Sequence, residues 1–271
     1  MWVNVLDKSS LIGVILGLIA VGVGMVLKGV PATALLNGPA FMIIILGTVA
    51  AVMIAFPMSE LKRVPKLFGI LFKEAKGTEV RDVIRMFGEW AELARKEGLL
   101  ALESKTTEIE DSFLRNGLGL AIDGQNADYI RDVLTEEIDA MEDRHLSGAA
   151  IFSQAGTYAP TLGVLGAVVG LIAALGHMED TAALGEAIAA AFIATLLGIF
   201  TGYVLWHPFA NKLKRKSTKE VMVKYMMIEG ILSVLEGEAP RVIEQKLASY
   251  LPAKEREQLM AEGGVKTDEE A

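Results

Sequence analysis

Four long stretches of the chain contain no Asp, Glu, Lys or Arg. They cover residues 9–27, about 39–58, about 151–175 and about 187–206. Each approaches the roughly 20 helical residues that cross about 30 Å of hydrocarbon at about 1.5 Å per residue. A second apolar stretch follows the first closely, which argues against a cleaved signal peptide. We therefore predict an all-α polytopic membrane protein with four transmembrane helices and a helical cytoplasmic domain.

The polar segment between the second and third spans is too long for an ordinary loop and shows helical periodicity. Apolar residues recur at steps of three and four between charged residues, at Val80, Ile84, Phe87, Ala91 and Ala94. This pattern is typical of an amphipathic helix. No proline separates residues 126–159, so we expect one helix to continue into the third span.

Two short patterns have the form of helix N-terminal capping boxes. They are Thr107 with Glu110, in the polar segment, and Ser217 with Glu220, after the fourth span. We expect each pair to begin a helix. From Gly263 onward the chain is short, acidic and polar, and we expect a disordered tail.

Basic residues are distributed unequally around the spans. Lys62, Arg63 and Lys66 follow the second span, and a cluster from Lys212 to Lys219 follows the fourth, whereas the connection between spans three and four has no Lys or Arg. By the positive-inside rule, both termini and the polar segment are cytoplasmic. The expected divisions are residues 1–59 and 146–211 for paired transmembrane helices, 60–145 for a cytoplasmic domain, and 212–271 for C-terminal helices and tail.

The amino-acid composition argues against several classes of function for this chain. The net charge of −8, without a basic stripe, argues against nucleic-acid binding. The chain has no cysteine, and its three histidines lack ligand spacing, so we expect neither a metal site nor a cofactor. An intramembrane enzyme would need a catalytic set at membrane depth, where only His207 and scattered hydroxyls occur. We do not expect an enzyme.

The charge-free spans limit how the chain could carry ions. Proton-moving proteins normally keep a titratable group at membrane depth, so a carboxylate would have to come from another polypeptide. Thr161 and Thr195 are candidates to line such a path, although each hydroxyl could simply bond its own helix. Pro160 and Pro208 are either hinges or simple helix punctuation.

Pairs of glycines four residues apart also have two interpretations. They are Gly13 with Gly17, Gly166 with Gly170, and Gly198 with Gly202. Small residues at this spacing let helix backbones approach closely in a bilayer, and packing is the simpler reading. Alternatively, part of this small face lines a narrow path or slides against a partner helix.

Several runs of residues together resemble one family. Residues 155–171 read AGTYAPTLGVLGAVVGL, and residues 195–208 include TLLG, Tyr203 and the dipeptide His207-Pro208. Residues 89–103 read EWAELARKEGLLALE, and residues 141–145 read MEDRH. In this order and within a four-span frame, they resemble the MotA/PomA family of flagellar stator subunits, related to the TolQ and ExbB proton channels. The resemblance extends over essentially the whole chain.

The resemblance implies a stator in which a ring of five such chains surrounds a MotB-like partner. That partner would supply the transmembrane aspartate and the peptidoglycan anchor, and the complex would conduct protons across the inner membrane. Pro160 and Pro208 match prolines implicated in coupling, and Thr195 matches a threonine beside the ion path. Arg95 and Glu103 match charges that face the rotor protein FliG.

One residue in the third span bears on the ion. Sodium-driven relatives have threonine where this sequence has Ala167, which lacks a hydroxyl for a hard cation. The resemblance therefore favours protons. The alternative is a proton-driven energiser of the ExbB/TolQ type, but those proteins resemble three-span chains whose large cytoplasmic segment follows the first span. Here that segment follows the second.

Overall fold

A computed structural model describes residues 7–73, 80–176 and 178–265 of the chain. Every secondary-structure element within those residues is a helix. The chain divides into two compact units. Unit 1 comprises residues 1–75 and 144–216, and unit 2 comprises residues 76–143 and 217–271.

Short and long helices alternate along the first part of unit 1. The helices are α1 (Lys8–Leu27), α2 (Gly38–Phe41), α3 (Gly47–Ala55), α4 (Met58–Leu61) and α5 (Val64–Phe72), with a 3₁₀ turn at Ala32–Leu35. A π-helical stretch, Met42–Leu46, joins α2 to α3 without a break. Asp7 caps α1 by accepting a hydrogen bond from the Ser10 N–H, and Asn37 caps α2 through the Ala40 N–H.

Unit 2 begins with the predicted amphipathic helix. Its first elements are α6 (Val80–Glu97), a 3₁₀ turn (Leu99–Leu102), α7 (Glu103–Thr106) and α8 (Ser112–Ile122). Its last are α12 (Pro240–Leu247), a 3₁₀ turn (Ala248–Tyr250) and α13 (Ala253–Val265).

Two long helices belong partly to each unit. They are α9 (Ala127–Leu175) and α11 (His207–Leu235). The helix α10 (Thr181–Phe200) continues into α11 through a π-helical stretch, Thr201–Trp206. The expectation that one helix runs from the polar segment into the third span is confirmed by α9.

Four helices in the described residues are long and apolar enough to cross a membrane. They are Lys8–Leu27, Gly38–Ala55, Ala127–Leu175 and Thr181–Leu235. Each overlaps a predicted span, although the second helix ends at Ala55, before the predicted end at about residue 58. The predicted all-α, four-span fold is confirmed. The third and fourth helices extend well beyond the apolar segment because their polar ends join unit 2.

Aromatic side chains fill one end of unit 1. Phe68 stacks edge-on against Phe152 with ring centroids 5.1 Å apart, and against Trp206 at 6.4 Å. Phe209 contacts the same group. The rings come from α5, α9, the π-helical stretch and α11, so this cluster fixes α5 against the long helices.

Unit 2 has a continuous apolar core. The inward residues of α6, including Ile84 and Phe87, are fully buried against Ile130, Leu134 and other residues of α9. Met226 and Ile231 of α11 close the core. The helical spacing recognised in the sequence therefore identifies the packed face of α6.

Neither predicted capping box begins a helix. Thr107 donates to the Ser104 carbonyl, and α8 is instead capped by Asp111, which accepts from the N–H groups of Phe113 and Leu114. Ser217 is buried in the middle of α11, because the fourth span continues as one helix. These two predictions were wrong.

The expected start of the disordered tail, Gly263, is wrong for the described residues. Gly263 lies within α13, and the remaining tail residues, 266–271, lie outside the described part of the chain.

Candidate functional site

The helices α9 and α10 meet along a seam of small residues. A Cβ atom on Gly198 would lie 2.8 Å from the Cα of Gly163 and 2.8 Å from the carbonyl oxygen of Ala159. Toward the other end of the seam, Gly170 packs against Ala191. Backbone atoms thus touch directly, and no side chain fits between the two helices at this level.

Pro160 lies in this seam, within α9. Its ring faces Gly202, where a Cβ would lie 2.7 Å from the proline Cγ and 2.8 Å from the carbonyl oxygen of Gly156. One turn earlier along α9, Gly156 faces the His207 ring, and a Cβ there would lie 2.8 Å from that ring. The missing side chain of Gly202 therefore leaves room for the Pro160 ring.

Pro208 is the second residue of α11, and only His207 separates it from the π-helical stretch. Proline has no N–H to donate to the Val204 carbonyl, four residues earlier, and its ring crowds that carbonyl. A π-helical turn widens the helix and often lies at functional sites. Pro208 itself is exposed, and His207 stacks at 5.3 Å from the Tyr203 ring. Both prolines lie inside continuous helices rather than at their ends.

The predicted ion-path residues lie on the same two helices. Thr161 is exposed and donates to the Tyr158 carbonyl at 2.7 Å. Thr195 is half-buried and donates to the Ala191 carbonyl at 3.4 Å, a long contact. Ala167 is half-buried, two turns along α9 from Pro160. Both hydroxyls thus bond their own helices, as the simpler sequence interpretation held.

Arg95 and Glu103 lie on two elements of unit 2. Arg95 is in the last turn of α6, and Glu103 is the first residue of α7. Between them, Gly98 has φ +88°, a left-handed conformation that ends α6. Both side chains are exposed and make no ion pair within the described residues, whereas their neighbours Glu92 and Lys96 pair at 2.6 Å.

Sequence reasoning found only part of the seam. It singled out Gly166, Gly170, Gly198 and Gly202 but not Gly156 or Gly163, which make equally close approaches. Their spacing of seven residues was the available signal, since residues seven apart share one face of a helix. Gly13, in contrast, has no atom within 4 Å of a Cβ position within the described chain.

An ionic cluster that the sequence did not indicate fixes the start of α1. The Asp7 carboxylate lies 2.7 Å from Lys212 Nζ and 3.5 Å from Lys216 Nζ. Lys216 also donates to the carbonyls of Ile70 and Lys73, at the end of α5. The first span, α5 and the base of the fourth span are thus joined by one charge network.

Two opposing influences act on the Asp7 carboxyl. Burial alone would raise its pKa, because a carboxylate loses hydration. Hydrogen bonds from Lys212, Ser9 and the Ser10 N–H outweigh burial and hold the pKa of Asp7 well below its ordinary value. Asp7 therefore stays ionised throughout the physiological range.

Comparison with known proteins identifies the family. Residues 105–226 match the model of the MotA/TolQ/ExbB proton channel family. Motility protein A of Bacillus subtilis is 65% identical over 270 residues, which cover 98% of this chain and all of that protein. The chain belongs to this proton channel family.

Two solved structures extend the match to the fold. The flagellar MotAB stator complex of Bacillus subtilis matches with a TM-score of 0.90 and 67% identity, covering 93% of this chain and 99% of that one. C. jejuni MotAB matches with a TM-score of 0.87 and 31% identity, covering 91% and 96%. Chemotaxis protein PomA of Vibrio alginolyticus is 34% identical over 246 residues, which cover 91% of this chain and 96% of that protein.

The function implied by the sequence resemblance is confirmed: the chain is a flagellar stator subunit of this proton channel family. Motility protein A matches almost the entire chain, and not only its last two spans. This match favours the stator over the ExbB/TolQ-type alternative.

Proposed function

We propose that this stator subunit works as one half of a proton channel, completed by a MotB-like partner. The observation that carries the proposal is that four apolar helices contain no acidic or basic residue over their apolar lengths. A proton relay needs a titratable group at membrane depth, and here a partner's transmembrane aspartate supplies it. The same partner anchors the complex to peptidoglycan.

The chain lies in the inner membrane with both termini in the cytoplasm. Lys62, Arg63 and Lys66 support this orientation, since they follow the second span and are exposed. Unit 2 is then cytoplasmic. This orientation gives the complex an output domain on the side where a rotor can be reached.

Five copies form a ring around the partner. Within one chain, much of the apolar surface of α9 and α10 is uncovered, including Val168, Ile172 and Phe192. Neighbouring copies, the partner and lipid share this surface. The exposed apolar surface of the span helices is therefore large enough for contacts between copies. Within the membrane such helices are held together by close packing rather than by hydrophobic burial.

The α9–α10 pair forms the chain's side of the ion path. Thr195 and Thr161 contribute hydroxyls, and Ala167 keeps that wall free of a further hydroxyl. Pro160 and Pro208 act as hinges in otherwise continuous helices. Arg95 and Glu103 contact the rotor protein FliG; they are exposed and have no competing ion pair within the described chain.

The energy of one ion sets the size of the movement. One charge crossing 100 mV releases about 2.3 kcal/mol, which is enough to shift a packed interface but not to unfold a helix. Protonation of the partner's aspartate releases one contact, the ring advances, and Arg95 and Glu103 push the rotor.

Co-expression with the MotB-like partner tests the proposal. In a host lacking its own stator, the pair should restore swimming and proton uptake, and replacing the partner's membrane aspartate with asparagine should abolish both. Thr195→Val should reduce uptake more than Thr195→Ser, which keeps the hydroxyl. Proton uptake that persists without the partner would contradict the half-channel assignment.

The ion itself has a separate test. With Ala167 in the wall, swimming should follow the proton gradient and ignore external sodium. Motility that rises with sodium and survives collapse of the proton gradient would overturn proton coupling.

A further inference from the structure

Unit 2 contains an open cleft of about 430 Å³ between α6, α8 and the segment that follows α7. Its floor is apolar and includes Met86, Trp90 and Leu93 of α6, together with Leu114 of α8. Trp90 is 5% exposed and packs edge-on against Phe87 with ring centroids 5.3 Å apart, so this part of the floor belongs to the packed core. The volume falls within the range of about 300–1,000 Å³ typical of binding pockets.

The rim of the cleft is acidic, with four carboxylates and a single lysine. Two of the carboxylates have structural partners. Asp111 caps α8 through the Phe113 N–H at 2.8 Å, and Glu108 pairs with Lys105 at 3.2 Å. Glu89 and Glu110 are exposed and make no hydrogen bond or ion pair within the part of the chain that the structure describes.

We propose that this cleft is a docking site for a basic amphipathic helix of a cytoplasmic partner. Apolar side chains of the helix fill the floor over Trp90 and Leu93, and flanking Lys or Arg side chains pair with Glu89 and Glu110. Helices that lay an apolar face into a groove use anchors three or four residues apart. Charge complementarity selects a basic helix over an acidic one.

The cleft lies on a different side of α6 from the proposed rotor contact. Arg95 follows Trp90 by five residues, which places it about 140° around a helix of 3.6 residues per turn. A helix seated in the cleft therefore does not occupy the Arg95 face. The proposal goes beyond torque transfer and uses the proposed function only for the cytoplasmic location of unit 2.

A peptide-binding experiment tests the docking site in the full chain. The protein with its MotB-like partner is placed in phosphatidylcholine nanodiscs, and empty nanodiscs give the background. The probe is a labelled amphipathic helix of Leu and Lys, compared with a peptide in which Glu replaces every Lys. We expect the basic peptide to bind saturably and the acidic peptide to show only background anisotropy.

Charge reversal in the cleft should remove this binding. E89K/E110K should weaken the affinity at least about tenfold, with E89Q/E110Q intermediate. The matched control E97K/E136K makes the same change of charge at exposed positions outside the cleft and should leave the affinity within about twofold. L93A should weaken binding without changing charge.

Three results would overturn the proposal. These are equal binding of both peptides, equal loss in the cleft and control variants, or no binding together with a change in complex mass for E89K/E110K. The last result would show that a second copy of the chain covers the cleft. Proton uptake is measured on the same samples without peptide, so a failure of the stator function would be seen separately.

Discussion

Gly202 faces Pro160 so closely that a Cβ atom on the glycine would lie 2.7 Å from the proline Cγ. Proline rings in a helix usually distort their own helix, but here the ring also lies against the backbone of the neighbouring one. A change of shape in α9 at Pro160 therefore directly reaches the π-helical stretch that follows α10. At this position the two helices are coupled by steric contact between the proline ring and a glycine backbone.

The seam between α9 and α10 should not tolerate a methyl group. Gly198→Ala would place its Cβ 2.8 Å from backbone atoms that cannot rotate away, so the helices must separate. We expect a loss of about 1–3 kcal/mol, the usual cost of overpacking, seen as a lower thermal midpoint of the purified complex.

Gly185→Ala is the matched control for this substitution. Gly185 lies in the same helix, and a Cβ there would meet no atom of the described residues within 4 Å. The control should be neutral or slightly more stable, since alanine favours helices by roughly 0.5–1 kcal/mol. An unchanged thermal midpoint for Gly198→Ala would contradict the direct backbone contact between α9 and α10 at Gly198.

Replacing Pro160 should separate stability from function. Pro160→Ala restores a backbone N–H that can bond the Gly156 carbonyl, so the thermal midpoint should stay equal or rise. Swimming speed and proton uptake should fall sharply, because the hinge is lost. Pro57→Ala, outside the seam at the start of α4, should leave swimming unchanged. Normal swimming of the Pro160→Ala strain would refute the hinge.

Charge reversal should identify the rotor contact. Arg95→Glu and Glu103→Lys together should abolish most torque on tethered cells while proton uptake through the complex persists. Because both side chains are exposed, the thermal midpoint should change little. Reversing Lys254 and Glu257, exposed charges of α13, serves as the control. Full torque in the Arg95/Glu103 double variant would contradict the proposal that these residues contact the rotor.

The Asp7 network predicts a specific dependence on pH. A carboxyl whose pKa is lowered by folding stabilises the fold above its ordinary value of 3.8, and this stabilisation is lost as pH falls below it. Between pH 5 and 8 Asp7 should therefore make a constant contribution to the free energy of unfolding. Its side chain is 14% exposed, and Asp7→Asn should cost about 1–3 kcal/mol.

Thermal unfolding at several pH values checks this expectation. The difference between wild type and Asp7→Asn should be flat from pH 5 to 8 and shrink below about pH 4. Asp139→Asn, at an exposed position of α9, should show no such difference. A difference that disappeared already near pH 6 would refute the ionic network.

The spans and the inward face of α6 could be predicted because each depends on local composition and periodicity. Residues 9–27 have no charge, and Ile84 and Phe87 recur at helical spacing, so neither prediction required knowledge of distant contacts. The family resemblance then supplied Pro160, Thr195, Arg95 and Glu103 as candidates. Their roles remain predictions.

The features that sequence reasoning missed depend on partners far apart in the chain. Ser217 has the pattern of a cap but lies within α11, because tertiary packing continues the fourth span as one helix. Asp7 meets Lys212 only after the first and fourth spans pack together. The cleft beside Trp90 likewise could not be predicted, because it depends on the positions of α6, α8 and the segment between α7 and α8 relative to one another.

Three threonine hydroxyls in the third and fourth span helices share one hydrogen-bonding pattern. Thr161, Thr195 and Thr201 each donate their hydroxyl hydrogen to a carbonyl one turn earlier. Each hydroxyl oxygen can then act only as a hydrogen-bond acceptor toward a neighbouring group. In the proposed ion path, the oxygens of Thr161 and Thr195 would accept hydrogen bonds from hydronium or a protonated acid but would offer a bare carboxylate no donor, which favours the loaded form of an ion carrier over the empty one.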